Sequence, residues 1–302
     1  MRKFSKMIIA ALMFVTVFAF VGCGAPAWQQ VDTINTNANY ETATYDSMKN
    51  VLGATGENQI TNQNPKCKTS FLTTYGSTTV KLTGVVDNKI EEGPFAAIYF
   101  EANGSMREIL NSIAGADVPE GVDAQMKLTM EIYGSRVVVE GKRDVVFYVD
   151  MSVDADGQKD TIKFKLDSEK LPESSFTQIF AGVINIYDDE FEEKTILGNF
   201  VFETKLLENL DFKVATEGDG TTKYLVTLLQ NKTIDIEGMV YDKYESYIAI
   251  NNGNIIAASV VTEGIIEEVR STTKVTLQVY DGEIPVQQGT YKSVQEALAE
   301  ME

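Results

Sequence analysis

Strict alternation of apolar and polar positions dominates this chain. In "QMKLTMEIY", Met126, Leu128, Met130 and Ile132 fall on one side, with Lys127, Thr129 and Glu131 on the other. In "DTIKFKL", Ile162, Phe164 and Leu166 oppose Lys163 and Lys165, and "TTKVTLQVY" sets Val275, Leu277 and Val279 against Lys274, Thr276 and Gln278. A period of two is the signature of antiparallel strands with one covered face. Other segments are apolar on both sides: Phe95–Ala102, Asp144–Val153, Tyr224–Gln230 and Asn254–Val261. Something must cover the second face of such strands, either helices or a ligand.

Turn chemistry agrees with this reading. "DADGQKD" (Asp154–Asp160), "TEGDGTT" (Thr216–Thr222), "NNGN" (Asn251–Asn254) and "YDGE" (Tyr280–Glu283) each sit where two strand-like runs meet. Helical spacing is rarer. Tyr45, Met48 and Leu52 stand at i, i+3 and i+7 of a helix over Tyr40–Gly53, and further helices are expected at Asn103–Gly115, Ser174–Tyr187 and Ser293–Met301. The expected fold is mainly β (α+β): a large curved antiparallel sheet or half-barrel of about eleven strands with a few short helices packed on it.

The amino terminus follows a different pattern. Arg2, Lys3 and Lys6 precede an uncharged apolar run of 15 residues, Met7–Val21, and then the small residue Gly22. That is the order of a secretory signal, and the run falls short of the roughly 20 residues that span a bilayer as a helix. "FVGC", Phe20–Cys23, resembles the bacterial lipobox, with Phe20 where that pattern usually has Leu. The resemblance implies a lipoprotein signal peptide over residues 1–22 and acylation of Cys23. Residues 23–39, polar and without periodicity, then read as the lipidated cysteine and a flexible tether, with residues 40–302 as a single antiparallel β domain. Trp28, the only tryptophan, stands at the membrane interface in this reading or is there by chance. The expected location is extracytoplasmic, lipid-anchored to a bacterial membrane.

Composition narrows the function. Loss of residues 1–22 removes three basic and no acidic side chains, so the formal charge goes from −18 to −21. Such a chain is repelled by nucleic acid and by anionic lipid surfaces. There is no histidine, which removes imidazole-based triads and metal sites. With Cys23 acylated, Cys67 is the only thiol, so no disulfide forms within the chain. Cys67 itself, in "PKCKT", reads as a spare thiol in a polar loop.

Candidate sites are few. Asp154, Asp156 and Asp160 form a weak calcium candidate, but Asp156-Gly157 is hairpin chemistry and strands flank it. "YDDEFEE", Tyr187–Glu193, carries five carboxylates and reads as a solvated loop. No metal, cofactor or catalytic residue is expected.

The lipobox, the short tether, a first helix containing "DSMKNV" and the long antiparallel meander are together similar to the LolA-like and LppX-like lipoprotein and lipid carriers. The stretch Tyr244–Gly282 resembles the strand, Gly turn, strand, loop, strand order near that family's C-terminal end. The resemblance implies an open, strongly curved half-barrel whose concave side holds acyl chains, in a membrane-anchored relative. The resemblance implies a lipoprotein that binds a lipid or other apolar ligand; the alternatives are an envelope scaffold with a protein partner and a filled core and, from the chain's 44 acidic residues, a carboxylate-based hydrolase.

Overall fold

The computed structural model describes residues 26–52, 64, 66–105, 125–139, 141–155, 157–167, 207–236, 239–266 and 268–299. Its strands, in chain order, are β1 (Glu41–Ala43), β2 (Lys66–Tyr75), β3 (Thr78–Asp87), β4 (Gly93–Ser105), β5 (Gln125–Val139), β6 (Lys142–Ala155) and β7 (Gln158–Asp167). They continue with β8 (Leu210–Thr216), β9 (Thr222–Leu228), β10 (Ile234–Ile236), β11 (Met239–Asn251), β12 (Asn254–Ile266), β13 (Val269–Val279) and β14 (Lys292–Ser293). A 3-10 turn (Ala27–Gln29) and two α-helices, α1 (Tyr45–Leu52) and α2 (Val294–Ala299), complete the described elements. The protein is mostly β and antiparallel, as its alternation predicts, with fourteen described strands rather than eleven. The expected signal peptide over residues 1–22, Cys23, Asp156, Tyr187–Glu193 and the helix expected over Ser174–Tyr187 lie outside the described residues.

Two compact units emerge, each assembled from separated parts of the chain. The first comprises Met1–Gln30, Ser77–Ile179 and Asp281–Glu302, and the second Val31–Gly76 and Phe180–Tyr280.

In the first unit β3, β4, β5, β6 and β7 follow one another as antiparallel neighbours, and β14 pairs parallel to the outer side of β7. Register puts Leu82, Phe100, Met130 and Met151 in one cross-strand row, with Ile98, Ile132 and Val149 in the next. All seven are buried, so this face is the unit's core. At the β4 bulge, a Cβ on Gly134 would stand 2.8 Å from the Phe95 ring, so only glycine allows that close approach. Helix α2 starts where a capping box sets it: Ser293 Oγ accepts from the Glu296 amide at 3.3 Å, and Glu296 Oε2 accepts from the Ser293 amide at 2.8 Å.

In the second unit the strand order is β1, β8, β9, β11, β12, β13, β2, with β10 on β11. The β11–β12 hairpin turns at Asn252 and Gly253, both with positive φ (51° and 75°), which the "NNGN" sequence accommodates. Helix α1 lays Met48 into the core, and Tyr45 stands 6.0 Å from the Phe212 ring of β8.

Three sequence expectations give way to the structure. Asn103–Ser105 continue strand β4 rather than opening a helix, because Asn103 and Gly104 pair in register with Lys127 and Met126 of β5. Tyr280–Glu283 closes no hairpin: β13 ends at Val279, and the chain runs without regular structure to β14. "KCKTSFLTTY" is strand β2, not loop, and its Cys67 is buried opposite Val279.

Candidate functional site

The segment from Pro26 to Tyr40 is fastened down. The sequence predicts a flexible tether through Asn39, but from Pro26 onward it is held by side-chain contacts. In the first unit Trp28 and Gln29 are only 7% and 4% exposed. The Trp28 ring meets Tyr99 edge-on at 5.8 Å and Tyr133 at 6.2 Å. Gln29 Nε2 donates to Glu131 Oε1 at 2.8 Å, while the Tyr133 hydroxyl donates to Glu131 Oε2. Trp28 therefore packs against the protein's own aromatic side chains.

The face that receives this turn is the polar one of the first unit. Tyr99, Glu131 and Asp150 are cross-strand neighbours on it. Asp150 is bonded to the Lys163 ammonium, which also stands 5.5 Å over the Tyr291 ring, and Tyr291 meets Tyr148 at 5.3 Å. Burial pushes the Tyr291 phenol up to about 12, and raises those of Tyr99 and Tyr133 further, with neighbouring carboxylates adding to the effect. Glu131 and Asp150 are two carboxylates set opposite each other by register. Both, however, are engaged by neighbours on the same face.

In the second unit the segment continues along strands β2, β13 and β9. The Lys68 ammonium stands 2.9 Å from both carboxylate oxygens of Asp32. Lys274 reaches the Thr33 hydroxyl at 3.3 Å, and Lys223 reaches the Asn37 carbonyl at 3.2 Å. Tyr40 lies beside Tyr247 and Glu245; burial first, then those neighbours, pushes its phenol up to about 12. Beneath this strap runs a buried row of mostly hydroxyl side chains in register: Ser70, Thr276, Ser259 and Tyr247.

The opposite side of the same strands is apolar and less covered. One register row reads Phe212, Val226, Ser246, Val260, Val275 and Phe71. Its neighbour reads Val214, Tyr224, Ile248, Ala258, Leu277 and Thr69. Toward the centre they are buried, but Phe71, Val260, Val275 and Ala258 are only half-buried. Apolar contact area is thus gathered on β12, β13 and β2 while their polar side is closed. This is the candidate site, and its chemistry is that of an apolar contact surface with threonine and serine hydroxyls at its margin.

Of the weak calcium candidates, Asp154 and Asp160 lie among the described residues and Asp156 does not. Asp154 Oδ1 accepts the Gly157 amide at 3.1 Å, which is turn chemistry, and Asp160 sits in β7 opposite Val153. Among the described residues no cluster of His, Cys, Asp or Glu could hold a metal ion. A polar cleft of about 530 Å³ opens beside Asn88, Lys89 and Arg136. Arg136 there donates to the Ile90 carbonyl and stacks 4.4 Å over Phe95.

Sequence reasoning missed the strap, and with it Trp28, Gln29 and Asp32. The only available signal was composition: a lone tryptophan and a lone aspartate in an otherwise uncharged polar run. Neither a protein-family model nor a characterised protein sequence matches this chain.

Proposed function

We propose that the protein is a bacterial lipoprotein, anchored outside the cytoplasm through acylated Cys23, that binds a lipid or other apolar ligand without catalysis. The observation that supports ligand binding is the half-buried row Phe71, Val275 and Val260, which presents apolar side chains on one side of three strands whose polar side is closed. Apolar binding surfaces with a few polar groups at their margin suit ligands of this class.

Mass spectrometry of lipid extracts from the full chain, purified in mild detergent, tests the reading. A stoichiometric apolar molecule is expected with the native protein and at least tenfold less with Val275→Asp. A clean native protein that also takes up no fluorescent fatty acid would sink ligand binding and redirect the search to a protein partner. Intact-mass analysis of Cys23 tests the anchor separately: an unmodified thiol would remove the lipoprotein reading.

A further inference from the structure

The docked strap changes how far the folded part can stand from its anchor. Were residues 23–39 a free tether, sixteen residue steps would let the domain wander up to about 55 Å from the lipid. Trp28 and Gln29 are instead buried on the polar face of the first unit. Only three steps, Cys23 to Pro26, then separate the acylated residue from a fixed point, a reach of about 11 Å at most. Pro26 and Ala27 are exposed while the two residues after them are buried.

We infer that the strap holds the first unit's polar face against the lipid headgroup layer, making this an oriented, membrane-apposed protein rather than a swinging one. The inference rests on the lipoprotein reading above. Electrostatics on that face permits it. The chain without its signal carries −21, yet among the described side chains strands β3–β7 present on this side five lysines, Lys81, Lys127, Lys159, Lys163 and Lys165, against seven carboxylates. A gap of about 11 Å is close to the Debye length of 8–10 Å at physiological ionic strength, so only the charge of the facing surface matters strongly there. The occupant of that surface is a bilayer, and the anchor supplies the attraction.

Energy transfer on vesicles provides the test. Full-length protein with Lys159→Cys, an exposed position on the same side of β7, is dye-labelled and reconstituted into phosphatidylcholine vesicles bearing a headgroup acceptor. A twelve-residue Gly-Ser insertion between Ala25 and Pro26 adds on the order of 10 Å of root-mean-square reach. It should lower transfer at least twofold. Trp28→Ala combined with Gln29→Ala, which frees the strap, should do the same; the insertion variant keeps the test valid if this one folds poorly. Vesicle flotation with unchanged transfer in the insertion variant would overturn the apposed orientation alone. Protein that does not float, with Cys23 unmodified by mass, would overturn the lipoprotein reading and the orientation with it.

Discussion

Replacing Asp32 by asparagine should destabilise the second unit far more than an ordinary surface change would. Lys68 is the reason: its side chain is 4% exposed, against 20% for Asp32. The ammonium is the more deeply buried member of the pair, while the carboxylate retains some access to water. Removing one member of a buried pair costs about 3–5 kcal/mol, because the survivor is left charged and dry. Asp32 lies near the rim, and the strap can partly peel away, so the low end of that range, about 3 kcal/mol, is expected. For a chain of this size that lowers the unfolding temperature by roughly 6–12 °C. Lys68→Met should cost less, about 1–2 kcal/mol, since the stranded carboxylate can hydrate. In the double variant Asp32→Ala/Lys68→Met no charge is stranded, and at least half the loss should return, giving a coupling energy of about 2 kcal/mol. Thermal unfolding followed by circular dichroism reads the magnitude, and hydrogen exchange over residues 31–43 reads its location. A drop of less than about 3 °C for Asp32→Asn, or simple additivity in the double variant, would refute the argument that the strap is held by a buried charge.

The other predictions concern packing and pH. Gly264→Ala should destabilise by about 1–3 kcal/mol in denaturant titration, because the new Cβ would lie 2.5 Å from the Val240 carbonyl oxygen at the β11 bulge. Cys67, buried in β2, should resist a thiol reagent in the native protein and react on unfolding. Hydrogen bonding from Lys243, then from Arg270, holds the Glu263 carboxyl below its usual range. A lowered folded value contributes stability that is present above about pH 4.5 and lost as pH falls, so Glu263→Gln should flatten the acid limb of stability, by under about 1 kcal/mol for so exposed a network. On the alkaline side, burial raises the phenols of Tyr40, Tyr247 and Tyr291 to about 12. Their contribution is full below about pH 10, and it is lost as pH rises toward 12. Tyrosinate absorbance should therefore show a late native step that moves to about pH 10 in urea.

Alternation made β5, β7 and β13 readable, because one face of each meets a core and the other a polar layer. Strand β2 was not readable for a physical reason. "KCKTSFLTTY" buries Lys68, Thr69 and Ser70 in succession, so polar residues are inside and no apolar period survives. The strap was invisible for a related reason. Its fastening comes from partners far away in sequence, such as Glu131, which lies 102 residues from Gln29. No local pattern encodes a contact of that range. The apolar candidate surface was half legible: Val260 and Val275 stood in strand-like runs, but their alignment with Phe71 depends on register, which hydrophobicity alone did not fix.

That register links the strap to the apolar surface. Along β2 and β13, each hydroxyl under the strap sits one residue from an apolar side chain on the other face: Ser70 next to Phe71, Thr276 next to Val275. Ser259 and Val260 repeat the arrangement on β12. A slip of one residue in any of these pairings would exchange the two faces, putting Val275 or Phe71 under the strap and a hydroxyl on the apolar side. Hydrophobic burial resists such a slip only weakly here, since Phe71, Val260 and Val275 are half-buried in the native pairing. The polar side therefore supplies the discrimination: Lys68 finds Asp32 and Lys274 finds Thr33 in one register only. The strap is on this argument also what keeps the apolar row in line, and loosening it should blur that alignment before it unfolds the sheet.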